Sequence, residues 1–313
     1  MRFGAAFWIN RTDWPALRDA CLAVERAGWD SLWIDDHLLA DEGDPTDAKL
    51  EGWATLAALA VLTMRVRLGL LVAANTFRPP GLTAKLATTL DHLSGGRAVL
   101  GLGGGWFARE HEAFGIDFGS GFGERLDRLD ESARLIRRLL DGETVDHEGR
   151  FYSMHDALCA PRPVQARLPI LIGGSGPTKT LRTTAAVADL WNGYGAPGRI
   201  AEASEVLRQR CAEIGRPFEA IERTVTIHGI VRDSPDAAGD AWADMARRHG
   251  LAGVAGSDGS GRGLSIGGPP SDVAAFLDGY REIGVSEVIF VFRAPFDTET
   301  IERLGEMRGA LEG

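Results

Sequence analysis

The sequence predicts an α/β protein built as a closed (β/α)8 (TIM) barrel. Three observations point there. Short apolar runs alternate with longer amphipathic runs along the chain, and that alternation demands parallel strands joined by crossover helices. Eight such units can be counted. The chain has 313 residues, a length that suits one such barrel with insertions. A doubly wound open sheet is the competing architecture. No composition break or linker divides the chain, so residues 1–313 read as a single domain.

Each element has its own signal. "RFGAAFWI" is the first strand, and "DWPALRDACLAVERAG" its helix, with Asp13 as cap, Pro15 in the first turn and Gly28 as stop. "SLWI" is the second strand and "EGWATLAALAVLT" the second helix; "VRLGLLVAA" is the third strand, followed by a helix ended by Gly95 and Gly96. "RAVLGLG" is the fourth strand. Its helix is the long "ERLDRLDESARLIRRLLDG", and "TVDHEGRFYSM" follows as an inserted short hairpin turning around Glu148 and Gly149. "PILIGG" is the fifth strand with helix "PTKTLRTTAAVA", and "DLWNGYG" the sixth with helix "RIAEASEVLRQRCAEIG". "TVTIHGIV" is the seventh. A second insertion follows it, containing two helices and the glycine-rich stretch Gly256 to Pro270, read as a mobile or plain surface loop. "EVIFVF" is the eighth strand and "DTETIERLGEMRGAL" the last helix.

Hydrophobic residues make up 44% of the chain and charged residues 25%, enough to bury a large core. The net charge of −10 argues against a nucleic-acid partner held by phosphate neutralisation, while leaving room for one local anion site. Cys21, Cys159 and Cys211 are widely spaced and have no metal-binding pattern, so they read as reduced, buried thiols of a cytoplasmic protein. No signal-peptide core and no membrane-spanning run is present in the sequence. No metal is expected.

A barrel of this kind places its site at the C-terminal ends of its strands. The second strand ends in Asp35, Asp36 and His37, and a His there can exchange a proton near neutral pH. The third ends in Asn75, Thr76 and Arg78, which either bond a ligand or close the turn before Pro79. The fourth ends in Gly103, Gly104 and Gly105, which leave room for a flat ring against backbone. The spacing is not GxGxxG and no short helix opens directly behind it, which disfavours a dinucleotide fold. Arg109, Glu110, His111 and Glu112 read as a solvated helix face.

The fifth strand runs into "PILIGGSGPTKT", a near P-loop. A Walker A motif, GxxxxGK[ST], fails because Thr178 precedes Lys179 where a Gly is needed. An anion is still favoured. The amides from Gly174 to Thr178 open a helix, Pro177 suits its first turn, and Lys179 and Arg182 place the wrong sign of charge there, which an anion would offset. Lys179 is given no catalytic role.

These motifs together resemble the luciferase-like monooxygenase superfamily, and within it the deazaflavin (coenzyme F420)-dependent oxidoreductases. The matching segments include "GWDSLWIDDHLL", "ANTFRPPGLTAKLATTLDHLSGGRAVLGLGGGW", "GRFY" and "PILIGGSGPTKTLRTTAAVADLWN", which fall within residues 1–195. The resemblance implies a single-domain barrel with the cofactor ring at the C-terminal mouth and its phosphate at the fifth-strand loop: Gly173, Gly174, Ser175, Gly176, Pro177 and Thr178. It implies a third-strand bulge with a non-proline cis peptide behind the ring, near Leu71 and Val72. Asp36, Asn75, Gly103 and Gly104 match positions beside the cofactor, and His37 matches the proton-handling His. In sugar-phosphate dehydrogenases of the group a Glu acid follows the fourth-strand glycines; here Trp106 stands there. With Trp8 it suggests an apolar, aromatic substrate pocket, while Trp53 reads as core.

The function expected is hydride transfer between F420 and a small organic substrate, with His37 as acid or base. The alternative is a monooxygenase using reduced FMN and O2. A P-loop nucleotide hydrolase and a non-catalytic deazaflavin-binding protein rank below both. A homodimer is implied by the resemblance alone, and a separate cofactor reductase is the expected auxiliary partner.

Overall fold

The computed structural model describes residues 1–251 and 265–312. In chain order, β1 (Arg2–Trp8) leads to α1 (Trp14–Arg26), β2 (Ser31–Ile34) to α2 (Gly52–Leu62), and β3 (Arg67–Leu70) with the two-residue β4 (Ala73–Ala74) to α3 (Pro80–Ser94). After β5 (Ala98–Gly103) come α4 (Ala108–Phe114), α5 (Phe122–Leu140) and the antiparallel hairpin β6 (Val145–Glu148) and β7 (Ser153–Ala157). Next are β8 (Ile170–Gly173), α6 (Thr180–Val187), β9 (Leu190–Tyr194), α7 (Pro197–Glu213) and β10 (Glu222–Val231). The chain finishes with α8 (Pro235–Arg248), β11 (Ser265–Gly268), α9 (Pro270–Glu282), β12 (Glu287–Arg293) and α10 (Thr298–Glu312).

Eight strands close a parallel ring in the order β1, β2, β3, β5, β8, β9, β10, β12 and back to β1. The closed ring rules out the open doubly wound sheet. The ring strands are buried on both sides, which is why they read as near-continuous apolar runs. Their outward residues pack under the helices with Leu17, Val24, Leu59, Leu135, Leu207 and Leu277. Their inward residues, among them Ala6, Trp33, Val99, Leu171, Leu190 and Ile289, form a separate plug inside the barrel. Trp33 fills most of one layer, and Gly69 makes room for it: a Cβ there would lie 2.7 Å from the indole. Below the plug the interior turns polar. Trp33 Nε1 donates to Ser31 Oγ at 2.7 Å, and Ser31 in turn bonds Glu287, which is fully buried.

The helix signals act as the sequence implies. Asp13 accepts the Ala16 N–H at 2.9 Å, and Gly28 and Gly95 end their helices at φ 82° and 66°. Four expectations change. The third strand is not continuous: it breaks at Leu71 and Val72 between β3 and β4. A short helix, α4, does open behind the fourth-strand glycines, after Trp106 and Phe107. The fifth-unit helix begins only at Thr180, so Pro177 lies in the turn before it. Within the glycine-rich stretch, residues 256–264 lie outside the described residues. Ser265 to Gly268, however, form a strand that pairs in parallel with the end of β10. The three cysteines are free and buried. Among the described residues, no helix is long and apolar enough to cross a membrane.

Candidate active site

The C-terminal mouth of the barrel has an apolar floor at the β3–β4 break. The Leu71–Val72 peptide bond is cis, at the place the resemblance implied. The Leu71 N–H still reaches the Ile34 carbonyl at 2.8 Å, and the Asn75 N–H reaches the Gly103 carbonyl at 3.0 Å, so both flanks stay tied to the ring. Leu71 is buried and Val72 half-buried. The glycines around this bulge are small because Val72 occupies the space. A Cβ at Gly103 would lie 2.5 Å from Val72 Cγ2, and one at Gly173 3.1 Å from Val72 Cγ1. The room expected for a ring against Gly103 is therefore taken by Val72.

Asp36 holds the bulge from behind. Its carboxylate accepts the Ala74 N–H at 3.0 Å and two bonds from Arg78 at 2.7 and 2.9 Å. Burial pushes Asp36 up to about 6, against the pull of the Arg78 guanidinium. Both its oxygens are committed to the protein. Asn75 is buried and donates to the Tyr152 hydroxyl at 3.1 Å. Tyr152 comes from the hairpin turn, whose Phe151 and Tyr152 N–H groups are gathered by Glu131 on α5. The inserted hairpin is thereby joined to the mouth.

His37 sits at one side of this floor, with its side chain 15% exposed. Its Nδ1 faces both oxygens of Glu110, at 3.0 and 3.2 Å, and Glu110 also accepts the Leu38 N–H at 2.8 Å. Its Nε2 has Asp41 at 3.6 Å, beyond hydrogen-bond reach. Burial works to lower the imidazole pKa, but the Glu110 hydrogen bond and the Asp41 and Asp35 carboxylates outweigh it and hold the group above its ordinary value. Lys49, with its side chain almost fully buried, pairs with Asp35 and donates to Asn10 at 2.6 Å. Asn10 in turn donates to Asp41 at 2.9 Å. The Trp106 and Phe107 rings stand edge-on to the imidazole at 5.3 and 5.8 Å. Trp106 is 44% exposed, while Trp8 ends β1 opposite Arg293, whose guanidinium lies 5.9 Å from the indole ring.

The reading of residues 109–112 as a solvated helix face is corrected here. Arg109 and Glu112 are exposed, but Glu110 and His111 are each 1% exposed. His111 is satisfied by the Thr76 hydroxyl at 2.7 Å and the Phe107 carbonyl at 2.8 Å. Asp41, Lys49 and Asn10 were not singled out from the sequence, and Glu110 was read there as solvated. The only signal was that Phe107, Glu110 and His111 share one face of a short helix. An apolar-periodicity reading discounts such a face because two of its three residues are polar.

The β8–α6 loop presents Gly173, Gly174, Ser175, Gly176, Pro177 and Thr178 at the opposite side. Gly174 has φ 110°, and a Cβ at Gly176 would lie 2.9 Å from Thr180 Oγ1, so backbone rather than side chains forms its surface. The Gly174 N–H is spent on the Asn192 carbonyl at 3.0 Å. Lys179 is not a bare cation awaiting an anion: it pairs with Asp127 at 2.6 Å and donates to the Gly123 carbonyl at 2.9 Å. The helix-repulsion argument for an anion loses that charge. What remains is a loop of amides and hydroxyls with no acidic side chain from 173 to 178.

The model of the family described as luciferase-like monooxygenase matches residues 2–287. An F420-dependent glucose-6-phosphate dehydrogenase of Kineococcus radiotolerans is 31% identical over 300 residues, covering 88% of this chain and 86% of that protein. A pyrimidine monooxygenase of Methylobacterium radiotolerans is 34% identical over 202 residues; the match spans 63% of this chain and about half, 51%, of that protein. Among solved structures, an F420-dependent secondary alcohol dehydrogenase in complex with an F420–acetone adduct superposes with a TM-score of 0.82. It is 18% identical, and the alignment covers 99% of this chain and 98% of that one.

Proposed function

The chain belongs to the luciferase-like monooxygenase family, and on that premise we propose that it is an F420-dependent oxidoreductase acting on a small organic substrate. One observation carries the reading. A titratable imidazole, His37, is held among carboxylates beside an apolar floor, which suits proton exchange coupled to hydride transfer. The residues at the mouth fit a flat ring with a phosphate tail. Leu71 and Val72 form the support, and the backbone at Gly104 and Gly174 to Thr178 is bare enough for close approach. When bound, the deazaflavin supplies hydride transfer at its C5 carbon.

The chain's own groups do the rest. The amides and hydroxyls of Ser175, Gly176 and Thr178 would hold the phosphate, and Asn75, which donates to Tyr152, would face the ring. Trp8 and Trp106 line the substrate side and limit water. His37 gives or takes the proton. Trp106 in place of a carboxylic acid, noted above, argues for an apolar substrate rather than a sugar phosphate.

A homodimer belongs to the same proposal. Between α2 and α3 runs a groove of about 440 Å³ whose apolar lining, Trp53, Ala54, Ala57, Leu86, Leu90 and Leu93, is joined by Glu51, Arg78, Lys85 and Thr89. Val61, Met64, Leu82 and Leu93, on or just after these two helices, stand exposed, and α2 carries no charge from Gly52 to Leu62. A helix that is apolar all round is normally buried.

The test is calorimetric titration of the purified protein with F420 and with FMN, each oxidised and reduced. Tight F420 binding is the expected result. Tight FMN binding without F420 binding would replace this reading with that of a reduced-FMN monooxygenase, for which the pyrimidine monooxygenase relative is the support.

A further inference from the structure

The two nitrogens of His37 have different surroundings. Nδ1 faces a carboxylate that is 1% exposed, with both oxygens inside hydrogen-bond range. An ionised carboxylate can only accept. Glu110 also accepts the Leu38 N–H from the same segment, so the acid is fixed to the imidazole and to the backbone next to it. Nδ1 must then carry its hydrogen. Nε2 is different. Asp41 Oδ2 lies 3.6 Å away, beyond hydrogen-bond reach, while Asp41 Oδ1 accepts the Asn10 amide at 2.9 Å and faces Lys49 at 3.8 Å. Lys49 itself is anchored on Asp35 and Asn10. Trp106 and Phe107, from the turn that leads into α4, set the plane of the ring by edge contacts.

We propose that Glu110 is a positioning residue for His37. Its carboxylate fixes the Nδ1–H tautomer and so reserves Nε2 as the nitrogen that exchanges a proton with substrate. The inference rests on the reading of His37 as the proton-handling residue. Only a proton moves: it leaves Nε2 of the imidazolium for the substrate, or arrives there from it, while Nδ1–H stays on Glu110 throughout. The charged groups that face the ring are Glu110 from α4 and Asp41 and Asp35 from the β2–α2 segment. Lys49 neutralises part of that negative charge. The arrangement follows a general rule: the hydrogen bond at one ring nitrogen decides what the other can do. In the same way, a buried carboxylate orients the imidazole of a catalytic triad.

The experiment is nitrogen-15 NMR of the His37 ring in the cofactor-free protein, for the wild type and for Glu110→Gln and Glu110→Ala. It is paired with the pH profile of turnover with F420. In the wild type the neutral ring is expected as the Nδ1–H tautomer. In Glu110→Gln the titration midpoint of His37 falls, because the charge that favoured imidazolium is gone. In Glu110→Ala the Nε2–H tautomer gains population. Turnover of Glu110→Gln is expected to drop roughly 10- to 100-fold, the range seen when the partner that orients a metal-ligating His is lost, with F420 affinity unchanged and the pH profile displaced in the same direction as the midpoint. Should Glu110→Ala fail to fold, the near-isosteric Glu110→Gln decides alone. An unchanged His37 midpoint and tautomer in the folded variants would overturn the inference and reduce Glu110 to a cap on Leu38. The ring measurements need no cofactor, so they stand apart from the functional reading, which would fail instead if His37→Ala kept full turnover.

Discussion

At His37, burial and charge pull in opposite directions, and charge wins. Desolvation alone would favour the neutral ring, yet Glu110, Asp41 and Asp35 raise its pKa above the ordinary value. The consequence for stability has a definite sign. A His whose folded pKa is raised contributes stability that is fully present below its unfolded value, about 6.5, and that is lost as pH rises through the folded value. The melting temperature of the wild type should therefore exceed that of His37→Ala most clearly near about pH 6, with the gap narrowing as pH is raised. A gap that widens with pH in a thermal-shift series would contradict the pairing. His37 itself was legible in the sequence, because a titratable residue at a barrel strand end is conspicuous. Glu110 was not: its partner lies 73 residues away, and a Glu on a short polar helix looks solvated until the helix is placed.

At the level of elements, the β3–β4 break and the strand ends around it form one device. Val72 leaves the regular strand and fills space that Gly101, Gly103 and Gly173 leave open. Adding a methyl at Gly103 would put a carbon 2.5 Å from Val72 Cγ2, a contact that real structures do not tolerate. Gly103→Ala should thus cost about 1–3 kcal/mol in chemical denaturation, the range for overpacking a core, and weaken cofactor binding by displacing the floor. Gly104→Ala is the comparison: its Cβ meets the flexible end of Leu126 at 3.1 Å and Phe122 at an ordinary 3.8 Å, and should cost less. Equal effects from the two would remove Val72 from the explanation. The glycines were visible in the sequence, but their reason was not. Without the break in the third strand nothing pointed to a valine as their neighbour, because "VRLGLLVAA" has the apolar pattern of one unbroken buried strand.

For the whole molecule, the closed ring commits both edges of each of its own eight strands to neighbours, and the surface proposed for assembly is a helix face. The exposed apolar side chains of α2 and α3 gather there. Light scattering should give about twice the 33.6 kDa chain mass. Val61→Glu combined with Leu93→Glu should shift the particle toward monomer, since two charges would then be buried unpaired. A monomeric wild type would refute the interface.

The sequence by itself determined an α/β architecture of eight parallel units. Eight apolar runs of strand length, separated by helices, call for parallel strands buried on both faces, and closure into a ring rather than an open doubly wound sheet was decided by the tertiary structure. The position of His37, the near-phosphate loop and the failure of the Walker motif were equally local facts. The tertiary structure decided what each of these meets. Closure of the ring brings Glu110 from α4 against His37 from the segment after β2, Asp127 from α5 against Lys179, and Tyr152 from the hairpin against Asn75. Charge and hydrogen-bond partners of this kind are set by distance in space, and local sequence patterns carry no record of which remote side chain will fill the few ångströms beside a given atom.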